Sequence, residues 1–301
     1  MNSCKLSGRN VFRQALRKGQ DVLKSSVREL KHPDDQPHRI VHNCRQSIKI
    51  ARSLLRLVRH GLASKDYHRL NFQLRNASRP LAAVRDAKVV LDSFNELIAI
   101  SPHHLPVEQI DRLRRRLELR LEDTWQKQIV SRQAFGQLEK RLRRCCDRWK
   151  GFKHQKCARS DLERGIRRVY DAGRQQSAMA GATPSLECLH EWRKQSKHLR
   201  YQLEFLSAFH GSDLSTPIEE LKDLGNRLGQ IRDYSILRSV LEEVELPEIP
   251  SPLCAELVQM ASARMDRELE SVLANGRVVY GPTPKEMMRR LAFWRMPPTG
   301  R

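Results

Sequence analysis

Apolar residues along this chain recur mainly at intervals of three and four, so the elements to expect are helices. From Val11 to Leu30, Phe12, Leu16, Leu23, Val27 and Leu30 fall at helical spacing, with Arg9, Arg13 and Arg17 on a neighbouring side. Residues 31–39, KHPDDQPHR, hold two prolines and form the loop that ends this helix. A second helix covers His42 to Val58 and runs to about Leu62, with Ile48, Ile50, Ala51, Leu54, Leu55 and Val58 on its apolar side. After a break at Gly61 to Lys65, a third starts near Asp66 and leads into RPLAAVRDAKVVLDSFNEL. Beyond a turn at Ser101 to Pro106, helices are predicted from Val107 to about Val130 and from about Arg132 to Trp149. Ser160 to Met179 reads as a helix capped by Ser160, with Glu163 three residues on. The loop GATPSLE follows, and another helix opens near Ser185 with Trp192, Leu199, Leu203, Leu206 and Phe209 on its apolar side. After Gly211 to Pro217 comes the helix carrying Lys222, then the segment with Arg232 and Asp233. Leu246 to Pro252 holds three prolines and reads as a linker. Ser251 to Leu273 and Pro284 to Trp294 complete the helices, and Val278 to Tyr280 are the only hint of extended chain.

Two of these helices share their polar faces. His42, Arg45, Lys49 and Arg52 match His190, Arg193, Lys197 and Arg200, each pair 148 residues apart (190 − 42). The pattern is H-x-x-R-x-x-x-K-x-x-R, twice. At about 100° per residue, these spacings gather all four side chains within roughly 80° of arc. Arg56 and Arg59 extend the first stripe, while Glu204 stands at the position of Arg56 in the second. A solvated helix face tolerates any mixture of polar residues, so drift should have scrambled these types. The apolar faces have exchanged residues freely and the basic faces have not.

A second motif repeats at nearly the same offset. LAAVRDAKVV around Arg85 and Asp86 aligns with LGQIRDYSIL around Arg232 and Asp233, 147 apart (232 − 85). Ten residues before each arginine lies another cation, Arg75 or Lys222, a spacing that brings both onto one helix face. Adjacent Asp86 and Asp233 point about 100° from their arginines, which suits orienting a basic side chain better than catalysis. Two motifs at one offset make the chain an internal duplication. The predicted fold is all-α, with eight to ten helices in two bundles of about four related by a pseudo-two-fold axis. The first bundle covers about residues 9–150 and the second about 158–296.

Composition adds a partner class. Lys and Arg number 56 against 35 Asp and Glu, a net charge of +21, which asks for an anionic partner. The seven cysteines are odd in number and include no C-x-x-C, so reduced thiols in a cytoplasmic protein are expected, not disulfides or a zinc site. No apolar run approaches the roughly 18 residues of a membrane span. The first twenty residues carry no acid until position 21 but also no apolar core of a secretory signal, and read as a basic first helix.

The paired histidine helices, the second running on as LRYQLEFL, the two Arg-Asp segments and the helix RGIRRVYDAGRQQ together resemble the CHAD domain, the conserved histidine α-helical domain. The likeness extends from about Val11 to Trp294. It implies a basic cavity between two four-helix bundles that binds inorganic polyphosphate, without catalysis and without metal or cofactor. Carried over by position, the stripes His42, Arg45, Lys49, Arg52 and His190, Arg193, Lys197, Arg200 would line it, with Arg56 extending the first. Arg75, Arg85, Lys222 and Arg232 are further candidates. Pro80 stands where the second copy has Arg227, and Ser78 and Ala82 replace Gly225 and Gly229. Many relatives carry a triphosphate-tunnel (CYTH) domain with an E-x-E-x-K strand; that motif does not occur here, so a stand-alone CHAD domain is expected. Association with polyphosphate granules, or with proteins of polyphosphate metabolism, would follow.

A linear polyanion requires many cations in a row, with Arg forks for paired oxygens and Lys as a point charge. The histidines fit as neutral donors, or as cations whose pKa the ligand raises, so that binding would strengthen below about pH 6.5. Two other functions compete. A nucleic-acid-binding protein, RNA above all, fits the charge, although aromatics are only 6% and no reader motif occurs. A metal-dependent phosphohydrolase lacks its ligands: His190-Glu191 is followed by Lys194, not His, so there is no H-E-x-x-H, and Glu204 is the only carboxylate on either stripe.

Overall fold

The first helix, α1 (Gly8–Lys31), buries Val11, Phe12, Ala15, Leu16, Leu23, Val27 and Leu30 along one side, as its periodicity requires. The structure, a computed structural model, describes residues 8–31, 37–100, 105–155, 157–209, 213–243 and 251–290. Residues 32–36, 101–104, 210–212, 246–250 and 291–294, which belong to expected loops, the linker and the terminal helix, lie outside the described residues. Among the described residues there are eleven α-helices and no strand.

After α1 come α2 (Pro37–Leu57), α3 (Ser64–Ala77), α4 (Ala82–Ile100), α5 (Val107–Trp125) and α6 (Ala134–Lys150). The rest are α7 (Arg159–Ala182), α8 (Leu186–Ser207), α9 (Ser215–Glu243), α10 (Ser251–Tyr280) and α11 (Pro284–Arg290). Starts recur at intervals near 150 residues: α7 follows α1 by 151 (159 − 8), α8 follows α2 by 149 (186 − 37) and α9 follows α3 by 151 (215 − 64). The halves part at Pro80. Its ring lacks an N–H and ends regular helix, so a 3-10 turn, Arg79–Leu81, separates α3 from α4, whereas α9 runs on for 29 residues.

Local signals hold in part: Pro37 to Arg39 and Ser215 to Pro217, read as loop, already belong to α2 and α9. Ser185 caps α8, its Oγ accepting from the Cys188 N–H at 3.2 Å. α7 begins at Arg159 and not at a Ser160 cap: Asp161 Oδ2 accepts the Ala158 N–H at 2.8 Å, and Glu163 pairs with Arg159. Val278 to Tyr280 are helical, not extended. Packing overrides their β-propensity, since Tyr280 is buried against the Tyr170 ring and its hydroxyl lies 3.1 Å from Ser196 Oγ.

Two apolar clusters form, and each draws on both halves. The larger joins α1, α2, α3 and α6 to α7, α8, the first part of α9 and the end of α10, with Trp149 and Trp192 fully buried. The smaller joins α4 and α5 to the second part of α9 and the first part of α10, through Phe94, Leu113, Leu237 and Leu257. Each large aliphatic so buried contributes about 1.5–3 kcal/mol. Close approach between halves depends on Gly165 of α7, where an added Cβ would lie 2.2 Å from the Leu57 carbonyl oxygen of α2. Polar ties cross the same boundary: Ser53 Oγ lies 2.7 Å from His198 Nδ1, and Gln202 Nε2 donates to the Ser53 carbonyl at 3.1 Å. Both groups are buried, so neither could be left unpaired cheaply.

Candidate anion-binding cavity

Helices α2 and α8 pack against each other with their apolar faces in the larger core, which turns their basic faces toward α4 and α9. Between the four helices lies a cavity of about 460 Å³. From α2 it takes His42, Arg45 and Lys49; from α8, Arg193, Lys197 and Arg200; from α4, Arg85. The two stripes thus face one shared hollow. Its walls hold seven Lys or Arg against two carboxylates, Asp92 and Asp233.

Crowding changes the chemistry of the lysines. Burial, then the neighbouring Arg45, Arg193 and Arg85, push Lys49 down to about 7. Burial, Arg193, Lys49, Arg200 and Arg85 push Lys197 down to about 6. Burial also lowers Arg45, and brings Arg193 to about 10 despite the opposing Asp233. Arg85 moves the other way: burial opposes its charge, but Asp233 and Asp86 prevail and raise it. Its Nη2 donates to Asp233 Oδ1 at 2.7 Å and its Nη1 to Asp86 Oδ1 at 2.9 Å, so each aspartate orients an arginine, as their type and position suggested. Arg193 Nε is buried without a hydrogen-bond partner among the described residues. Gly229 of α9 makes room for it, since a Cβ there would stand 3.0 Å from Arg193 Nη2.

Without a ligand, both motif histidines are held below their ordinary value. Burial, then Lys49, Lys197 and Arg45, lower His42, and burial with Arg232 and Lys194 lowers His190.

Not every expected residue reaches the cavity. Arg52 Nε donates to Asn71 Oδ1 of α3 at 3.1 Å, and Arg56 reaches the same oxygen at 3.4 Å, so the far end of the first stripe turns to α3. His190 and Arg232 are not among the residues lining the cavity, although both lie near Arg193, and among the described residues His190 Nδ1 is buried with no hydrogen-bond partner. Arg75 is exposed on α3, because the break at Pro80 removes the common face it would have shared with Arg85. Lys222 is exposed on α9 and paired with Glu219 at 3.1 Å. Conversely, His38, Lys88, Tyr201 and Asn226 line the cavity without having been singled out. Lys88 was within reach of sequence reasoning, three residues after Arg85 and so on its face.

Burial pushes the thiols of Cys44, Cys145 and Cys157 up to about 12. Among the described residues no group of three or more His, Cys, Asp or Glu could hold a metal ion, and no helix is long and apolar enough to cross a membrane.

Fold and site together define an all-helical protein whose repeated basic helices enclose one cationic cavity. The CHAD domain model matches residues 11–242, and the chain belongs to that family. PptA from Streptomyces chartreusis shares the fold at a TM-score of 0.66 and 17% identity, covering 92% of this chain and 100% of that one. The CHAD domain from the plant Ricinus communis does so at 0.60 and 16%, covering 92% and 94%. A comparison with curated proteins finds no match.

Proposed function

We propose that the protein binds inorganic polyphosphate in this cavity, without catalysing a reaction on it. One observation carries the reading. Lys49 and Lys197, from the two repeated helices, line one cavity together with Arg45, Arg85, Arg193 and Arg200, and burial with that crowding pushes both lysines down from their ordinary value. Such crowding destabilises a fold by itself and is offset when a polyanion enters. A chain of phosphates matches the row of Arg forks and Lys point charges, and its lack of bulky groups suits a narrow hollow. Binding raises the lysine pKa values. Affinity is therefore fully developed below about pH 6 and falls as pH rises through the higher values of the bound state.

A cytoplasmic role on polyphosphate granules, or beside proteins of polyphosphate metabolism, is part of this proposal. The test is calorimetric titration with polyphosphate at two salt concentrations, using wild type and the variant Arg45→Ala/Lys49→Ala/Arg193→Ala/Lys197→Ala. Wild type should bind with a steep loss at high salt, and the variant should lose at least about a hundredfold. Equal affinity in both proteins sinks the assignment.

A further inference from the structure

A larger cavity lies elsewhere, on the outer side of the first half. It is a groove of about 900 Å³ between the end of α3, the turn at Pro80 and the start of α6. Arg79, Arg132, Arg141 and Arg144 line it, and no Asp or Glu does. All four are exposed, and among the described residues none forms an ion pair. Elsewhere some surface arginines, such as Arg112, Arg143 and Arg167, have a carboxylate one helical turn away. The groove therefore carries uncompensated positive charge.

Three further features narrow the ligand. Phe72 projects into the groove with 62% of its surface exposed, although aromatic side chains elsewhere are mostly buried. Gln73, Asn76, Gln128, Gln133 and Gln137 add amides that donate and accept hydrogen bonds. The groove wall is irregular: a π-helical turn, Gln126–Val130, leads to Gln133 at φ 46°, and α6 starts there without a side-chain cap on its first N–H groups. A non-glycine residue in the left-handed region costs about 1 kcal/mol or more and tends to be kept where a site needs it.

Arginines serve phosphates, an exposed ring serves flat aromatic faces, and amides serve base edges. The central cavity offers the first of these but no free ring, since Tyr201 is covered by the Arg200 guanidinium at 4.6 Å. From this juxtaposition we propose that the outer groove binds single-stranded nucleic acid, with Phe72 stacking on a base and the four arginines following the phosphates.

The experiment is fluorescence anisotropy with a labelled 12-nucleotide oligouridine and the full chain. Phe72→Ala should weaken binding about fivefold or more, and Arg132→Ala/Arg141→Ala about tenfold or more. All three side chains are exposed, and circular dichroism verifies that the variants fold. Lys49→Ala/Lys197→Ala should leave oligonucleotide binding unchanged, while Arg132→Ala/Arg141→Ala should leave polyphosphate titration unchanged. An abasic strand should bind wild type as weakly as oligouridine binds Phe72→Ala. The proposal is overturned if both groove variants retain wild-type affinity, or if the loss occurs in the lysine variant instead. Equal binding of abasic and normal strands also overturns it, by reducing the groove to a site for phosphate chains alone.

Discussion

The two Arg-Asp segments share a motif and differ in the backbone that carries it. Arg232 and Asp233 sit within the unbroken α9, while Arg85 and Asp86 stand in the first turns of α4, just past the break at Pro80. Arg85 bonds both aspartates, its own neighbour and the one from the other half, whereas Arg232 has no ion pair among the described residues. On α9, Gly229 lets Arg193 approach the helix backbone, at a position where the first half has Ala82. Charge differs too. Asp233 is among the groups that hold Lys49 up, while Lys197 gains Arg200 as a further repelling neighbour. Repetition has thus kept the cations and let their surroundings diverge, so that Lys197 lies near 6 and Lys49 near 7.

The largest effect expected from this difference is on stability against pH. Each lysine binds its proton at a lower pH folded than unfolded, where the usual value is 10.5. Between those limits the unfolded chain holds more protons, so stability rises with pH, and below about pH 6 the deficit is complete. Without polyanion and at low salt, stability should climb by about 3 kcal/mol or more from pH 6 to pH 9. Lys197→Met should flatten that slope more than Lys49→Met, because the Lys197 window opens lower. Thermal melts of the three proteins across this range measure it. A flat wild-type profile, or equal flattening by both variants, would erase the contrast between halves.

How much of this was legible follows from what sequence patterns encode. The stripes of α2 and α8 and the Arg-Asp repeat are local periodicities, and the cavity brings both stripes together. What periodicity does not encode is which neighbouring helix receives each end of a stripe. Arg52 and Arg56 lie on the same line as Arg45 and Lys49, yet Asn71, from another helix, draws them away. Likewise His38 and Asn226 reach the cavity through helix packing, with no motif of their own. Tyr280 shows the converse, a residue of high β-propensity kept helical by a buried contact with Tyr170. Pro80 was visible as an interruption, and its consequence, the separation of Arg75 from Arg85, follows from the missing N–H.

A smaller effect separates the aspartates. Asp233 neutralises Arg85 across the halves and also opposes the charges of Lys49 and Arg193, while Asp86 serves Arg85 and Arg45. The Arg85–Asp233 side chains are only 21% and 26% exposed, so breaking that pair should cost about 1–2 kcal/mol, less than a fully buried pair. Asp233→Asn should therefore lower the melting temperature more than Asp86→Asn. Its effect on polyphosphate should have the opposite sign, since one negative charge leaves the cavity wall and affinity rises. Loss of affinity together with loss of stability would mean that Asp233 acts mainly by holding Arg85 in place.

The smallest effect tests the glycines. In Gly229→Ala the new Cβ would stand 3.0 Å from Arg193 Nη2 and 3.1 Å from its Nε, so the guanidinium must shift by a few tenths of an ångström. Helix propensity gains about 0.5–1 kcal/mol from the same change, which offsets the crowding, so stability should hardly move. Polyphosphate affinity should nevertheless fall about threefold, since a charge-assisted fork is sensitive to small displacements. The reciprocal variant Ala82→Gly, in the first half, should leave affinity unchanged. Titration of both variants against wild type decides whether the close approach of Arg193 to α9 serves the ligand. If Gly229→Ala binds polyphosphate as wild type does, that closeness is a matter of packing alone, and the functional difference between the halves rests on the lysines.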